Sequence, residues 1–164
     1  MKNLTAYTTL IESLAHNFNW DPDLLESQVM EESSGDPKAI RYEDGYYRDY
    51  IKGNAVAKGY KYGRFAAISV GLLQILFETA LELGFTGVIY ELCDPATGLY
   101  WGLTYLTSLR TAYGTADGAE TRIAIGAYNG GPRLLHHPVD QWPPGPKKYV
   151  QDVYTRAGKI YTNA

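Results

Sequence analysis

Glu32-Ser33-Ser34-Gly35-Asp36-Pro37-Lys38-Ala39 reads first as the end of a helix. Upstream, Asp21-Pro22 is a cap residue with proline at the first helical position, and Leu24, Leu25 and Val29 carry an apolar face onward. Ser33-Ser34-Gly35, followed by Asp36-Pro37, supplies the stop. Glu32 therefore falls in the last turn, where the macrodipole is negative and unpaired carbonyls face a side chain. Both disfavour ionisation, and partial burial under a later tyrosine-rich segment adds to the effect. This is a carboxyl predisposed to keep its proton near neutral pH.

Helical signals continue on both sides. Leu10, Ile11, Leu14 and Phe18 have helical spacing and predict a first helix from about Thr5 to Asn17. Leu72 to Leu83 has a helical pattern that stops at Gly84. Asp94-Pro95 repeats the cap-plus-proline signal and opens a long helix to about Tyr113, closed by Gly114. Another is expected from about Gly118 to Tyr128, cut by Asn129-Gly130-Gly131-Pro132, and a last one from Lys147 to about Tyr161. The expectation is an all-α domain of six or so helices occupying residues 1–164 as a single unit. One segment, Ile40 to Ile68, is rich in Gly, Tyr, Lys and Arg and has no clean period. Segments of that length without obvious structure are uncommon inside compact domains and are often functional.

Composition narrows the function. A chain of 164 residues with 45% apolar side chains can bury one core. A net charge of −3 and a pI near 5.6 speak against nucleic acid, which calls for a clustered basic excess. Cys93 is the lone cysteine, so no internal disulfide can form. The start, Met1-Lys2-Asn3-Leu4-Thr5-Ala6-Tyr7, lacks the uninterrupted apolar core of a signal peptide, and no run is long enough to span a membrane. His136-His137 has no acidic or cysteine partners at ligand spacing, so no metal is expected, and no cofactor either. Fifteen tyrosines against four phenylalanines and three tryptophans are the anomaly. For most of them half-buried packing with the hydroxyl reaching solvent is the expectation, though such rings also offer flat faces for sugars.

Three segments in order resemble the lytic transglycosylase family, whose catalytic domain has the goose-type lysozyme fold. Glu32 to Ala39 is similar to the family's Glu-Ser-x-x-x-Pro-x-Ala signature. Gly71-Leu72-Leu73-Gln74-Ile75 is similar to its Gly-Leu-Met-Gln segment, with Thr79-Ala80 following. Ala127-Tyr128-Asn129-Gly130-Gly131-Pro132 is close to Ala-Tyr-Asn-Ala-Gly-Pro, and Tyr149-Val150 matches a terminal Tyr-Val pair. The departure lies between the first two segments. The family crosses there by a short Ser-Pro-x-Gly turn, whereas here about thirty residues intervene. Similar Tyr-rich expansions occur in transglycosylases of bacteriophage origin.

The resemblance implies a substrate of peptidoglycan glycan strands and a single catalytic carboxyl, Glu32, that serves as acid and then as base. It implies cleavage between N-acetylmuramic acid and N-acetylglucosamine without water, ending in a 1,6-anhydro ring. Its matched motifs assign supporting roles. Gln74 binds sugar or orients Glu32, or is a buried amide satisfying a turn. Tyr128 points its hydroxyl at the carboxyl or the N-acetyl group, or is a core ring. Asn129 contacts substrate or ends a helix; Ser33 caps or orients; Tyr149 leans over the cleft from the last helix. Glu43, beside Arg41 and Tyr42, is the first candidate for the second carboxylate that a hydrolytic muramidase needs, ahead of Asp44 and Asp49. A non-catalytic glycan-binding virion protein is the remaining reading. A phage enzyme without a leader would be made in the host cytoplasm and reach the wall by holin release or on the virion, where tail proteins are its partners.

Overall fold

The computed structural model describes residues 4–114 and 119–161. Met1-Lys2-Asn3 and the expected helix start at Gly118 lie outside the described residues. In chain order the elements are α1 (Thr8–Asn17), α2 (Pro22–Ser33), β1 (Ile40–Tyr42), the single turn α3 (Asp44–Tyr46), β2 (Ile68–Val70), β3 (Ile75–Leu76), α4 (Phe77–Glu82), α5 (Pro95–Tyr113), α6 (Glu120–Gly130) and α7 (Pro144–Arg156). The fold is mostly helical and lysozyme-like, as expected. Both cap-plus-proline signals work as read: Asp21 Oδ1 accepts from the Asp23 and Leu24 amides at 3.0 and 3.3 Å, and Asp94 Oδ2 accepts from Thr97 N at 2.9 Å.

Two apolar clusters organise the chain. The larger joins α1, α2, α5, α6 and α7 through residues such as Ile11, Leu25, Leu103, Ile125 and Val153. The smaller gathers Val70, Ile75, Phe77, Ala80, Phe85 and Leu92 beneath the sheet and α4. Among the described residues, no helix is long and apolar enough to cross a membrane.

The expected helix from Leu72 to Leu83 is corrected. Its first residues form a turn, then the short strand β3, and only Phe77–Glu82 is helical. Gly71 has φ +81°, and a Cβ there would sit 2.5 Å from Leu92 O, so the backbone enters as a tight turn that only glycine fits. Gln74 also has positive φ, +49°. Leu72 and Leu73 are buried because the turn thrusts them into the larger cluster, which imitates helical periodicity in the sequence. The last helix is also shorter than expected, ending at Arg156 rather than Tyr161.

The segment from Ile40 to Ile68 is structured. Its ends are β1 and β2, paired antiparallel with Ile40 opposite Val70 and Tyr42 opposite Ile68; β3 extends the sheet with Val70 opposite Ile75. This small sheet was not foreseen, since three- and two-residue strands carry no readable alternation. Between its ends run α3, a π-turn over Tyr47–Ile51 and 3₁₀ turns over Tyr60–Ala67. Glu78 of α4, 1% exposed, lies against the backbone of Lys58 and Gly59 in the arm, and burial pushes its carboxyl up.

Candidate active site

Glu32 sits where the sequence places it, in the last turn of α2, with Ser34 in the left-handed conformation (φ +52°) ending the helix. It lines an open cleft of about 650 Å³. One wall is built by the end of α6 and the residues after it, Tyr128 to Arg133. The other is built by Arg41, Glu43, Ser69, Thr79 and Glu82 from the sheet region and α4, and by Tyr46 and Tyr50 from the arm.

Burial raises the Glu32 carboxyl to about 7, opposed first by a hydrogen bond from Tyr149 and then by the charge of Arg41; Glu43 and Glu31 add smaller upward pushes. Tyr149, on α7, donates from its hydroxyl to Glu32 Oε1 at 2.5 Å. Burial and the facing carboxylate hold the Tyr149 phenol far above its ordinary value, so it stays a donor. Gln28, one turn before Glu32 on α2 and 1% exposed, lies against the same hydroxyl. The tyrosine that governs Glu32 thus comes from the last helix and not from the tyrosine-rich arm.

The other expected site residues divide into two groups. Ser33, Gln74 and Tyr128 all grip the turn from Gly71 to Gln74. Ser33 Oγ lies 2.8 Å from Leu72 O, and Tyr128 Oη donates to Leu73 O at 2.8 Å. Gln74 Nε2 donates to Gly71 O at 3.0 Å and to Ala39 O at 2.9 Å. These hydrogen bonds tie the ends of α2 and α6 to one turn, which explains why the three segments occur together. The Tyr128 hydroxyl is therefore directed at a backbone carbonyl and not at the carboxyl. Its ring still lines the cleft, 5.3 Å from that of Tyr105. Asn129, exposed at the end of α6, and Glu43 face the open cleft. Glu43 Oε1 accepts from Arg41 Nε at 2.6 Å and from Ser69 Oγ at 3.1 Å. Asp44 and Asp49 are surface partners of Arg48.

The family model described as the transglycosylase SLT domain matches residues 9–148. The chain belongs to that family. Among curated proteins, none matches it. Membership makes this SLT domain a lytic transglycosylase acting on peptidoglycan. The matched range takes in the ends of α2 and α6 and the turn they grip, and it runs across the inserted arm.

Sequence reasoning missed several groups in the cleft of this SLT domain: Ser69, Glu82, Tyr105 and Arg133. Gln28 was detectable as a polar residue at i−4 from Glu32 on an otherwise apolar helix face. Glu82 and Arg133 had no such signal, because each is an ordinary charged residue until the fold brings it to the cleft.

The carboxyl at about 7 fixes a pH limb. With Glu32 as the acid, the protonated form is the active one, and kcat/KM is expected to fall as pH rises through about 7. Tyr149→Phe removes the hydrogen bond that favours the carboxylate and raises the Glu32 carboxyl further. The limb then moves to higher pH, while kcat at the optimum falls because the carboxyl loses its orienting partner. A pH–rate profile of both proteins reads the shift; a limb unmoved by Tyr149→Phe detaches Tyr149 from the titrating group.

Proposed function

We propose that Glu32 is the acid and base of a water-free cleavage of peptidoglycan strands. Its proton passes to the oxygen between N-acetylmuramic acid and N-acetylglucosamine as that bond breaks. The substrate's N-acetyl group stabilises the muramic cation, a substrate-assisted course outside the two-carboxylate rule. The Glu32 carboxylate then takes the proton of the C6 hydroxyl, whose oxygen closes onto the anomeric carbon as a 1,6-anhydro ring. Glu32 ends protonated as it began, and no water is consumed. The observation that carries this reading is a buried carboxyl at about 7 in the cleft, held by a tyrosine that remains a hydrogen-bond donor. A group poised there serves equally well as acid and as base.

Glu43 lines the same cleft and keeps a hydrolytic muramidase as the second reading. Its charge is already engaged by Arg41 and Ser69, which favours a positioning role over activation of water. The expanded arm, similar to those of bacteriophage transglycosylases, supports a phage setting, as an endolysin or as a virion component that opens the wall. Mass spectrometry of soluble products from purified peptidoglycan tests the reaction. Anhydro-ended muropeptides, one water lighter than hydrolytic ones, are the expected result; reducing ends would transfer the second step to Glu43 and a water molecule.

A further inference from the structure

Among the described residues, a hydrogen bond joins the two walls of the cleft. Arg133, just after α6, donates from Nη2 to the Tyr50 hydroxyl at 3.2 Å. Tyr50 belongs to the inserted arm, is 45% exposed, and lies with its ring centroid 4.9 Å from that of Tyr46. All three line the cleft that holds Glu32.

The charge pattern makes Arg133 unusual. The cleft carries Glu32, Glu43 and Glu82, and its other cation, Arg41, is paired with Glu43 at 2.6 Å. Among the described residues lining it, Arg133 is the cation with no carboxylate partner; its hydrogen bond is to a neutral phenol. A guanidinium has five donors in a planar fork that matches a carboxylate. Most of that fork is unspent here, on an exposed side chain with an exposed tyrosine hydroxyl beside it. The sugars of a glycan strand bring neutral hydroxyls and amides, whereas the strand's carboxylates hang on the peptide stems attached to muramic acid. Elsewhere in the cleft the charged groups are carboxyls and the paired Arg41, which offer such a group no free cation.

We propose that Arg133 and Tyr50 form a carboxylate site that grips the peptide stem of the substrate and fixes which muramic acid lies against Glu32. The proposal rests on the reading of this cleft as the catalytic one. The inserted arm thereby has a function: it brings Tyr50 across to Arg133, so stem recognition is shared between an element the family usually lacks and the end of α6. The ring face of Tyr50 is left for the sugar that carries the stem.

The test compares two glycans freed of other wall polymers, one bearing stems and one stripped of them by an amidase. Wild type is expected to show about tenfold higher kcat/KM on the stem-bearing strands, the scale of one charge-assisted fork. Arg133→Ala is expected to bring the ratio close to one, Arg133→Lys to keep part of it, and Tyr50→Phe to lower it. Arg48→Ala, on the arm but outside the cleft, is expected to keep the wild-type ratio. A wild type that cleaves both glycans equally, or an Arg133→Ala that keeps the preference, overturns the site while leaving the reaction intact. Failure of wild type to release anhydro-ended product from either glycan overturns the reading of the cleft, and the stem site falls with it.

Discussion

Glu32→Gln is expected to lower turnover on peptidoglycan by about 10² to 10⁴-fold, the range over which a positioned acid–base group acts. The amide has the shape of the carboxyl, and its oxygen can still accept from Tyr149 as Glu32 Oε1 does now at 2.5 Å. What disappears is the transferable proton. The same substitution is expected to make the protein more stable at alkaline pH, and the sign follows from linkage. In the folded chain the carboxyl titrates at about 7, against 4.5 without its surroundings. Below the lower value both states are protonated and burial carries no electrostatic penalty. Between the two values the unfolded chain ionises while the folded one must keep its proton, so wild-type stability declines as pH rises, by up to about 3 kcal/mol in total. Glutamine cannot ionise and is free of that decline. Denaturant unfolding of both proteins at pH 4 and pH 8 reads the difference, and product release from sacculi reads the loss of activity. A variant that retains full activity removes Glu32 from the chemistry.

Trp142→Ala carries the largest expected effect on stability. The indole is 3% exposed within the larger cluster, and its Nε1 donates to His137 O at 2.9 Å and Leu134 O at 3.2 Å. It lies against Gly126 so closely that a Cβ there would fall 2.0 Å from the ring, so the indole fills the space that a side chain at that position would need. Truncation opens a void and strips two carbonyls of their donor, a loss of about 3–5 kcal/mol. For a chain of this size the melting temperature should drop by roughly 10 °C. Activity should decline as well at temperatures where the fold persists, since Trp142 leads directly into α7, which carries Tyr149. Thermal unfolding followed by circular dichroism measures the first effect. A drop of only a degree or two means that the core collapses around the missing ring.

The frame of this molecule was readable because its helices are marked at the ends. Asp21-Pro22 and Asp94-Pro95 state their starts in the local chain, and the apolar spacing after them needs no partner to be recognised. Glu32 was readable for the same reason, since its place in a last turn is a local property. The turn from Gly71 to Gln74 was not. Leu72, Leu73 and Ile75 mimic a helical face because each is buried, but they are buried in different clusters from a bent backbone. Gln74 and Tyr128 could each be assigned to substrate or to scaffold, and the backbone carbonyls that their side chains meet carry no mark in the sequence. Tyr149 was named for the cleft, but its bond to Glu32 joins residues 117 apart in the chain, beyond the reach of any local pattern.

The inserted arm leaves and rejoins the body through neighbouring strands, with Tyr42 opposite Ile68. An appendage clipped at its base in this way is modular. Its closure entropy grows only with the logarithm of its length, about 0.6 kcal/mol for each doubling, and its growth or loss need not disturb the turn that Ser33, Gln74 and Tyr128 hold. The frame can thus carry arms of other lengths, which would rebuild one wall of the cleft while Glu32 and the turn beside it stay in place.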